Sequence, residues 1–314
     1  MTGAIERPPA GQAPRAVVFS YSQTGQLREV AHALTAPLLA RGWNIRSVVV
    51  EPRTAFPFPW PIRRFFRVFP TSVDPDAVVE LAVPDDGFDS APEELVILAY
   101  QVWYLAPSLP IRSLLKSHPA AVRDRPVVSL IACRNMWYSA AIEVSGLLRS
   151  AGARHVGVIA ATDTRPQATT LVTTLRWLLT GNRDPFLWFG RAGVGDAELG
   201  RISGVGRDMA ESVPLPQVAA PIMPTLAAAD LLAGAAFRGW GTTVRAAERF
   251  GPVGRGVTLV MFVLGLGIGI AFGLPLIACA ALVGGTRFDA MVSDLVRRRL
   301  SFGTPAVHEE VAIR

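Results

Sequence analysis

At 314 residues the chain is long enough for one sizeable domain with additions, and half of it is hydrophobic, with a mean hydropathy of +0.34. Its formal charge of +6 is carried by arginine, Lys116 being the only lysine. No basic helix or aromatic-basic motif accompanies that charge, so nucleic acid is not an expected partner. Two cysteines, Cys133 and Cys279, and four scattered histidines offer neither a disulfide framework nor metal-ligand spacing; no metal is expected, and a reducing compartment fits.

Residues 1–15 have no apolar h-region and read as a flexible leader. AVVFS (16–20) is a short apolar run of the buried-strand kind. After a hydroxyl-rich turn, Leu27, Val30, Ala31, Leu34 and Leu38 recur at helical spacing, and Gly42 marks the helix end. NIRSVVVE (44–51) reads as strand two, followed by TAFPFPWPIRRFFRVFP (54–70). Its prolines exclude a regular helix at least through Pro61. Two readings of this segment stand: a covering loop that packs Phe and Trp onto the sheet edge, or a lid that forms a hydrophobic substrate wall.

LVILAY (95–100), VVSLIA (127–132) and HVGVIAAT (155–162) are three further buried strands, with helical patterns at 108–118 and 138–151 between them. Two more helices are expected at 169–181, stopped by Gly181, and at 196–212, weakened by glycines. Strands without polar alternation, separated by helices, predict an α/β domain with a parallel sheet covered on both faces. Five of them suit a doubly wound, flavodoxin-like five-stranded parallel sheet over 16–215, in which the loops after 20, 100 and 132 converge on one crevice.

The C-terminal third has a different character. Within 216–255, Phe237, Trp240, Val244 and Ala247 share one helical face while Arg238, Arg245 and Arg249 lie on another, the pattern of an amphipathic helix in the headgroup plane. No charge interrupts 256–286, which as one helix would run to roughly 45 Å against a hydrocarbon core of about 30 Å. Gly273-Leu274-Pro275 offers a break, so this membrane-embedded segment reads as a hairpin or a transmembrane helix. Arginines flank it equally on both sides, which fits both ends on the cytoplasmic side better than a clean span. A buried helical hairpin inside a soluble domain is the alternative. Gly265, Gly269 and Gly273 place a smooth stripe on one face, suited to the second leg or to a second copy in a homo-oligomer. Residues 287–314 read as a basic amphipathic helix and tail. The expected location is the cytoplasmic face of the cell membrane, with membrane lipid as a partner.

Chemistry is expected at three strand ends. Ser20, Ser22, Gln23, Thr24, Gly25 and Gln26 turn a strand into a helix, aiming backbone N–H groups at one point where a phosphate binds without lysine. The same residues also serve as an ordinary helix cap. No G-x-G-x-x-G or Walker pattern is present, which disfavours a dinucleotide fold or P-loop. After strand three come Gln101, Val102, Trp103 and Tyr104; after strand four come Arg134, Asn135, Met136 and Trp137. Aromatics and amides at both edges suit a flat isoalloxazine ring, so FMN is the expected cofactor. Trp103 and Trp137 contact the flavin or pack in the core. Tyr104 and Tyr138 are the proton donors nearest the site. Arg134 sits over the flavin edge, binds an acidic substrate, or is structural. Asp163 caps the next helix or faces the site, and Cys133 reads as a buried apolar residue.

S-Q-T-G-Q resembles the phosphate loop of flavodoxin-like proteins, S/T-x-T-G-x-T, with Leu27 in place of the last hydroxyl. YSQTGQL, FPFPW, YQVWYLAPSLP and RNMW together look like the flavodoxin-like proteins labelled dialkylresorcinol condensing enzyme, over roughly residues 16–165. That resemblance implies a ketosynthase or redox partner and a lipophilic polyketide-like, dialkylresorcinol-precursor or quinone-like substrate. A thiolase-type condensation needs a cysteine served by histidine, and no such pair attends Cys133. The implied role is therefore oxidation, such as aromatisation of a cyclohexanedione, by a membrane-associated FMN-dependent oxidoreductase. A flavodoxin-like electron carrier and a flavin-free membrane scaffold are the other readings.

Overall fold

The computed structural model describes residues 12–300 and Phe302. Most of the expected leader (1–11), together with 301 and 303–314 of the expected tail, lies outside the described residues. Strands β1 (Arg15–Ser20), β2 (Asn44–Val49), β3 (Glu94–Trp103), β5 (Pro126–Cys133) and β6 (Arg154–Thr162) form the parallel sheet. Two strands of two residues each join them: β4 (Ala106–Pro107) pairs antiparallel with the end of β3, and β7 (Val218–Ala219) extends the β6 edge in parallel. The order is β2-β1-β3-β5-β6-β7. Counting the long strands alone gives 2-1-3-4-5, the flavodoxin-like arrangement, with its switch point between β1 and β3.

Helices α1 (Gln26–Ala40), α3 (Leu109–Ser117), α4 (Tyr138–Ser150), α5 (Gln167–Thr180) and α6 (Asp196–Ala210) fall where the periodicity puts them. Alternate strand residues feed two cores. Val17, Phe19, Val96 and Leu98 meet Leu114 of α3 and Val144 of α4 on one face. Ala16, Val18, Leu95 and Ile97 meet Leu34 of α1 and Ile202 of α6 on the other. Both faces are dry, which is why the strands carry unbroken apolar runs.

Segment 54–61 is irregular, as its prolines require, and α2 (Ile62–Ser72) starts directly after Pro61. A buried ion pair ties the layers here. Arg112 of α3, with no exposed surface, meets Glu143 Oε1 of α4 at 2.7 Å and donates to Ser72 O of α2 at 2.7 Å.

The domain expected to end at 215 takes in β7 and the docked helix α7 (Pro224–Ala247). The fully buried Asp230 of α7 accepts from Ser139 N at 2.9 Å and Tyr138 N at 3.1 Å, so it caps the first turn of α4. The face of α7 expected to meet headgroups packs on protein instead: Phe237, Trp240 and Val244 join Phe69 and Val73, and Phe262 of α8 (Gly251–Ile268). Helical spacing shows that a face is apolar, and these neighbours arrive from distant sequence.

The expected break at Gly273-Leu274-Pro275 is also corrected. Gly269–Gly273 forms a π turn and α9 (Leu274–Arg299) continues directly from it. A widened turn absorbs Pro275, whose ring would clash with a carbonyl in a tight helix. The chain breaks instead at Gly285, where φ 49° and ψ −133° suit a residue without Cβ. By length and composition this helical run could cross a membrane.

Candidate functional site

The crevice lies at the carboxyl ends of β1, β3 and β5. Beyond Ser20, whose carbonyl accepts from Val50 N at 2.8 Å, the chain turns through Tyr21–Gly25 into α1. Gly25 holds φ 84°, left-handed backbone that favours glycine. No side chain caps α1, so the cap reading of Ser22 and Thr24 is set aside. The amides of Gly25, Gln26 and Leu27 are those a helix start leaves without intrahelical partners. Ser22 Oγ is buried and has no hydrogen-bond partner among the described residues. Free amides, a helix dipole and an orphaned hydroxyl at one turn are the groups that anion binding at a helix N-terminus uses.

Gln101, at the end of β3, binds this turn twice: its Oε1 accepts from Gln23 N at 2.9 Å, and its Nε2 donates to Thr24 Oγ1 at 3.1 Å. Gln23 in turn grips the aromatic segment, donating to Pro57 O at 2.7 Å and accepting from Trp60 Nε1 at 2.9 Å. The 54–61 loop is thereby fastened over this turn, with Phe56 packed against the core as the covering-loop reading expects and Trp60 on the cavity wall.

Beside the turn opens a cavity of about 250 Å³. Trp60, Trp103 and Trp177 form its aromatic walls, Trp60 and Trp103 meeting edge-on at 5.8 Å. Gln23, Thr24, Gln26 and Gln101 line the polar end, Cys133 comes from the last position of β5, and Arg134 and Met136 come from the loop after it. Phe65 of α2 and Phe237 of α7 also line it. The β3–β4 hairpin tip also projects here. Tyr104 and Leu105 both adopt positive φ, 50° and 63°, a conformation that costs bulky residues on the order of 1–3 kcal/mol each.

Most expected cofactor residues converge. Gln23, Thr24, Gln26, Gln101, Val102, Trp103, Tyr104 and Met136 line the cavity, with Ser22 and Gly25 in the turn beside it. Three positions are corrected. Trp137, 1% exposed, stacks on Tyr138 in the main core, because it ends the loop and enters α4 facing the sheet. Tyr138 is buried there too, its hydroxyl accepting from Met223 N at 3.0 Å; burial pushes its pKa up to about 12. Asn135 is buried, with Nδ2 donating to Gln167 and Oδ1 without a partner.

The remaining candidates have defined states. Tyr104 donates its proton to Phe65 O at 2.6 Å, and burial holds its pKa well above the ordinary value. Burial likewise pushes the Cys133 thiol up, so no thiolate stands ready. Burial lowers the Arg134 pKa; its guanidinium reaches Gln167 O at 3.4 Å and has no ion-pair partner among the described residues. Asp163 is held in an ion pair with Arg165 and does not cap α5. Sequence reasoning missed Trp177 and the wall role of Phe237. Trp177 sits in an ordinary helical pattern that carries no sign of a ligand.

No family model and no curated protein matches the chain. Among solved structures it is similar to a flavodoxin from the domain Archaea, at 14% identity and TM-score 0.36, covering 63% of this chain and 98% of that one. It is similar to an NAD(P)H:quinone oxidoreductase of Methanothermobacter marburgensis at 14% and 0.34, with the same coverage. A protein described as a flavoprotein of Bacteroides eggerthii follows at 16% and 0.34, over 43% of this chain and 80% of that one. Scores this low carry no argument, and the flavodoxin-like fold rests on the strand order given above.

Proposed function

We propose that the chain is a membrane-associated flavin protein that binds FMN and transfers hydride or electrons to a lipophilic ring substrate of quinone-like or polyketide-like type. One observation carries the reading: the uncapped anion turn at α1 opens directly into the tryptophan-walled cavity. Bound there, FMN would supply reversible two-electron or one-electron redox chemistry. The amides of Gly25, Gln26 and Leu27, with the hydroxyls of Ser22 and Thr24, would hold its phosphate. Trp60, Trp103 and Trp177 would flank the ring and exclude water. Arg134 would place a half-buried positive charge at the rim of the ring or against an acidic substrate group.

Tyr104 donates its hydroxyl proton to a backbone carbonyl, Tyr138 is buried in the core away from the cavity, and Cys133 stays protonated, so no free side-chain acid is assigned. The apolar C-terminal helix would seat the domain at a membrane, and Phe237 would face arriving substrate. The dialkylresorcinol resemblance narrows the substrate only as far as its motifs reach.

A second reading, an electron carrier, is favoured by the size of the cavity. About 250 Å³ lies below the roughly 300–1,000 Å³ of ligand sites and leaves little room for substrate beside a flavin. Reconstitution with FMN followed by assay with NAD(P)H and a quinone or cyclohexanedione separates the two. Small-substrate turnover supports the enzyme; electron exchange without turnover supports the carrier. A chain that takes up no flavin removes both.

A further inference from the structure

The uncharged stretch is carried by a helix that continues from Gly251 through the π turn to Gly284. From Val263 to Gly284 no side chain is buried, and Leu282 and Val283 stand 83% and 91% exposed. Its two flanks are fastened down. Before it, Phe262 is 2% exposed and stacks on Phe69 of α2 at 4.1 Å, next to Phe237 and Trp240. After it, Phe288 packs on the main core, and Val292, Val296 and Leu300 are buried in that core. Ser145 of α4 donates to the Leu300 carbonyl.

A helix from Val263 to Gly284 extends roughly 33 Å, which matches a hydrocarbon core of about 30 Å. Crossing would put its two ends in opposite aqueous phases. Yet Gly284 lies only four residues from Phe288, a reach of at most about 14 Å, and Phe262 and Phe288 both rest on one folded body. The sheet domain would have to stand on both sides of the bilayer.

We infer that this helix lies within a single leaflet, parallel to its surface, as a monotopic anchor for an anionic membrane. A helix of about 10–12 Å diameter fits the roughly 15 Å of hydrocarbon in one leaflet. Being apolar on every side, it sits below the headgroups rather than among them. The charges agree. Arg249 and Arg255 precede the helix and Arg287 follows it. Beside its root, α2 exposes Arg63, Arg64 and Arg67, and Arg255 donates to the Arg67 carbonyl at 3.1 Å. None of Arg63, Arg64, Arg67, Arg249 or Arg287 has an ion-pair partner among the described residues. Exposed Ile62, Phe250 and Val253 stand among these guanidinium groups. A basic band interleaved with apolar side chains, beside a bare apolar helix, complements lipid phosphate over hydrocarbon. It does not complement a second copy bearing the same charge.

The inference deepens the membrane seating proposed above and is independent of the flavin. Its test uses the full chain with Cys279→Ala and either Arg249→Cys or Thr286→Cys, in uniformly oriented vesicles made from cells that express it, with a membrane-impermeant maleimide. Both positions are expected to label from the same side and to lose labelling together from the other; labelling from opposite sides overturns the inference. In a second measurement, spin labels at Leu264→Cys, Phe272→Cys and Leu282→Cys are expected at one common depth within a leaflet. A depth that runs through the bilayer centre overturns it. Failure of the full chain to float with phosphatidylglycerol vesicles also overturns it, and leaves the flavin reading standing if the same preparation still binds FMN.

Discussion

Gln101 reaches from the end of β3 into the turn before α1 and engages both Gln23 N and Thr24 Oγ1. Thr24 accepts there, so its own hydroxyl proton is left for a phosphate. Removing a donor to a charged acceptor costs about 1.5–3 kcal/mol. Thr24→Ala should therefore weaken FMN binding by about 10–100-fold and leave riboflavin, which lacks the phosphate, unchanged; titration calorimetry with both ligands checks this. Arg112 provides a test away from the site. Arg112→Ala strands Glu143 and frees two carbonyls of α2, an expected loss of about 3–5 kcal/mol in chemical denaturation. Flavin affinity of the protein that remains folded should not move.

At the scale of elements, α7 and α4 are coupled through one titrating carboxyl. Burial raises the pKa of Asp230 from 3.8 to about 6, against the hydrogen bonds from Ser139 and Tyr138 that lower it. The native state therefore holds a proton that the unfolded chain lacks between about pH 4 and 6. Its contribution is full below pH 4 and is lost as pH rises through 6. Burial depresses the pKa of His155 from 6.5 to about 4, the opposite case: its contribution is full above 6.5 and is lost as pH falls through 4. Each is worth on the order of 3 kcal/mol, so the two slopes largely cancel. Asp230→Asn should uncover the His155 slope, with denaturation midpoints that drop as pH falls from 6.5 to 4 while the parent stays nearly flat.

The elements differ in how far the sequence discloses them. The five long strands are readable because burial on both faces demands unbroken apolar runs, and their loops converge because parallel order requires it. Strands β4 and β7 are too short to show a period. Trp103 and Trp137 look alike in sequence, each beside a strand end. Trp103 is the last residue of β3 and faces the cavity, whereas Trp137 enters α4 and faces the core, a difference set by turn geometry. The apolar face of α7 is visible, but its partners on α2 and α8 are not, since spacing within one helix carries no information about what covers it.

At the scale of the whole molecule, the site and the apolar helix share a wall. Phe237 lines the cavity and also packs against Phe262 at the root of that helix, so the proposed redox site and the proposed membrane seat would share one aromatic cluster. Because both flanks of the helix dock on the same domain, replacing 263–284 with a flexible Gly/Ser linker should leave Phe262 and Phe288 in place. Such a chain is expected to be soluble without detergent, to keep its circular dichroism and to bind FMN as the parent does. Aggregation or loss of flavin affinity would mean that the helix supports the domain rather than seating it. The central claim is flavin binding, and it is tested most directly by titrating the cofactor-free full chain with FMN while following the visible flavin spectrum. The account predicts saturation at one FMN per chain with a perturbed spectrum and weaker uptake of riboflavin; a chain that leaves the FMN spectrum unchanged throughout the titration would contradict it.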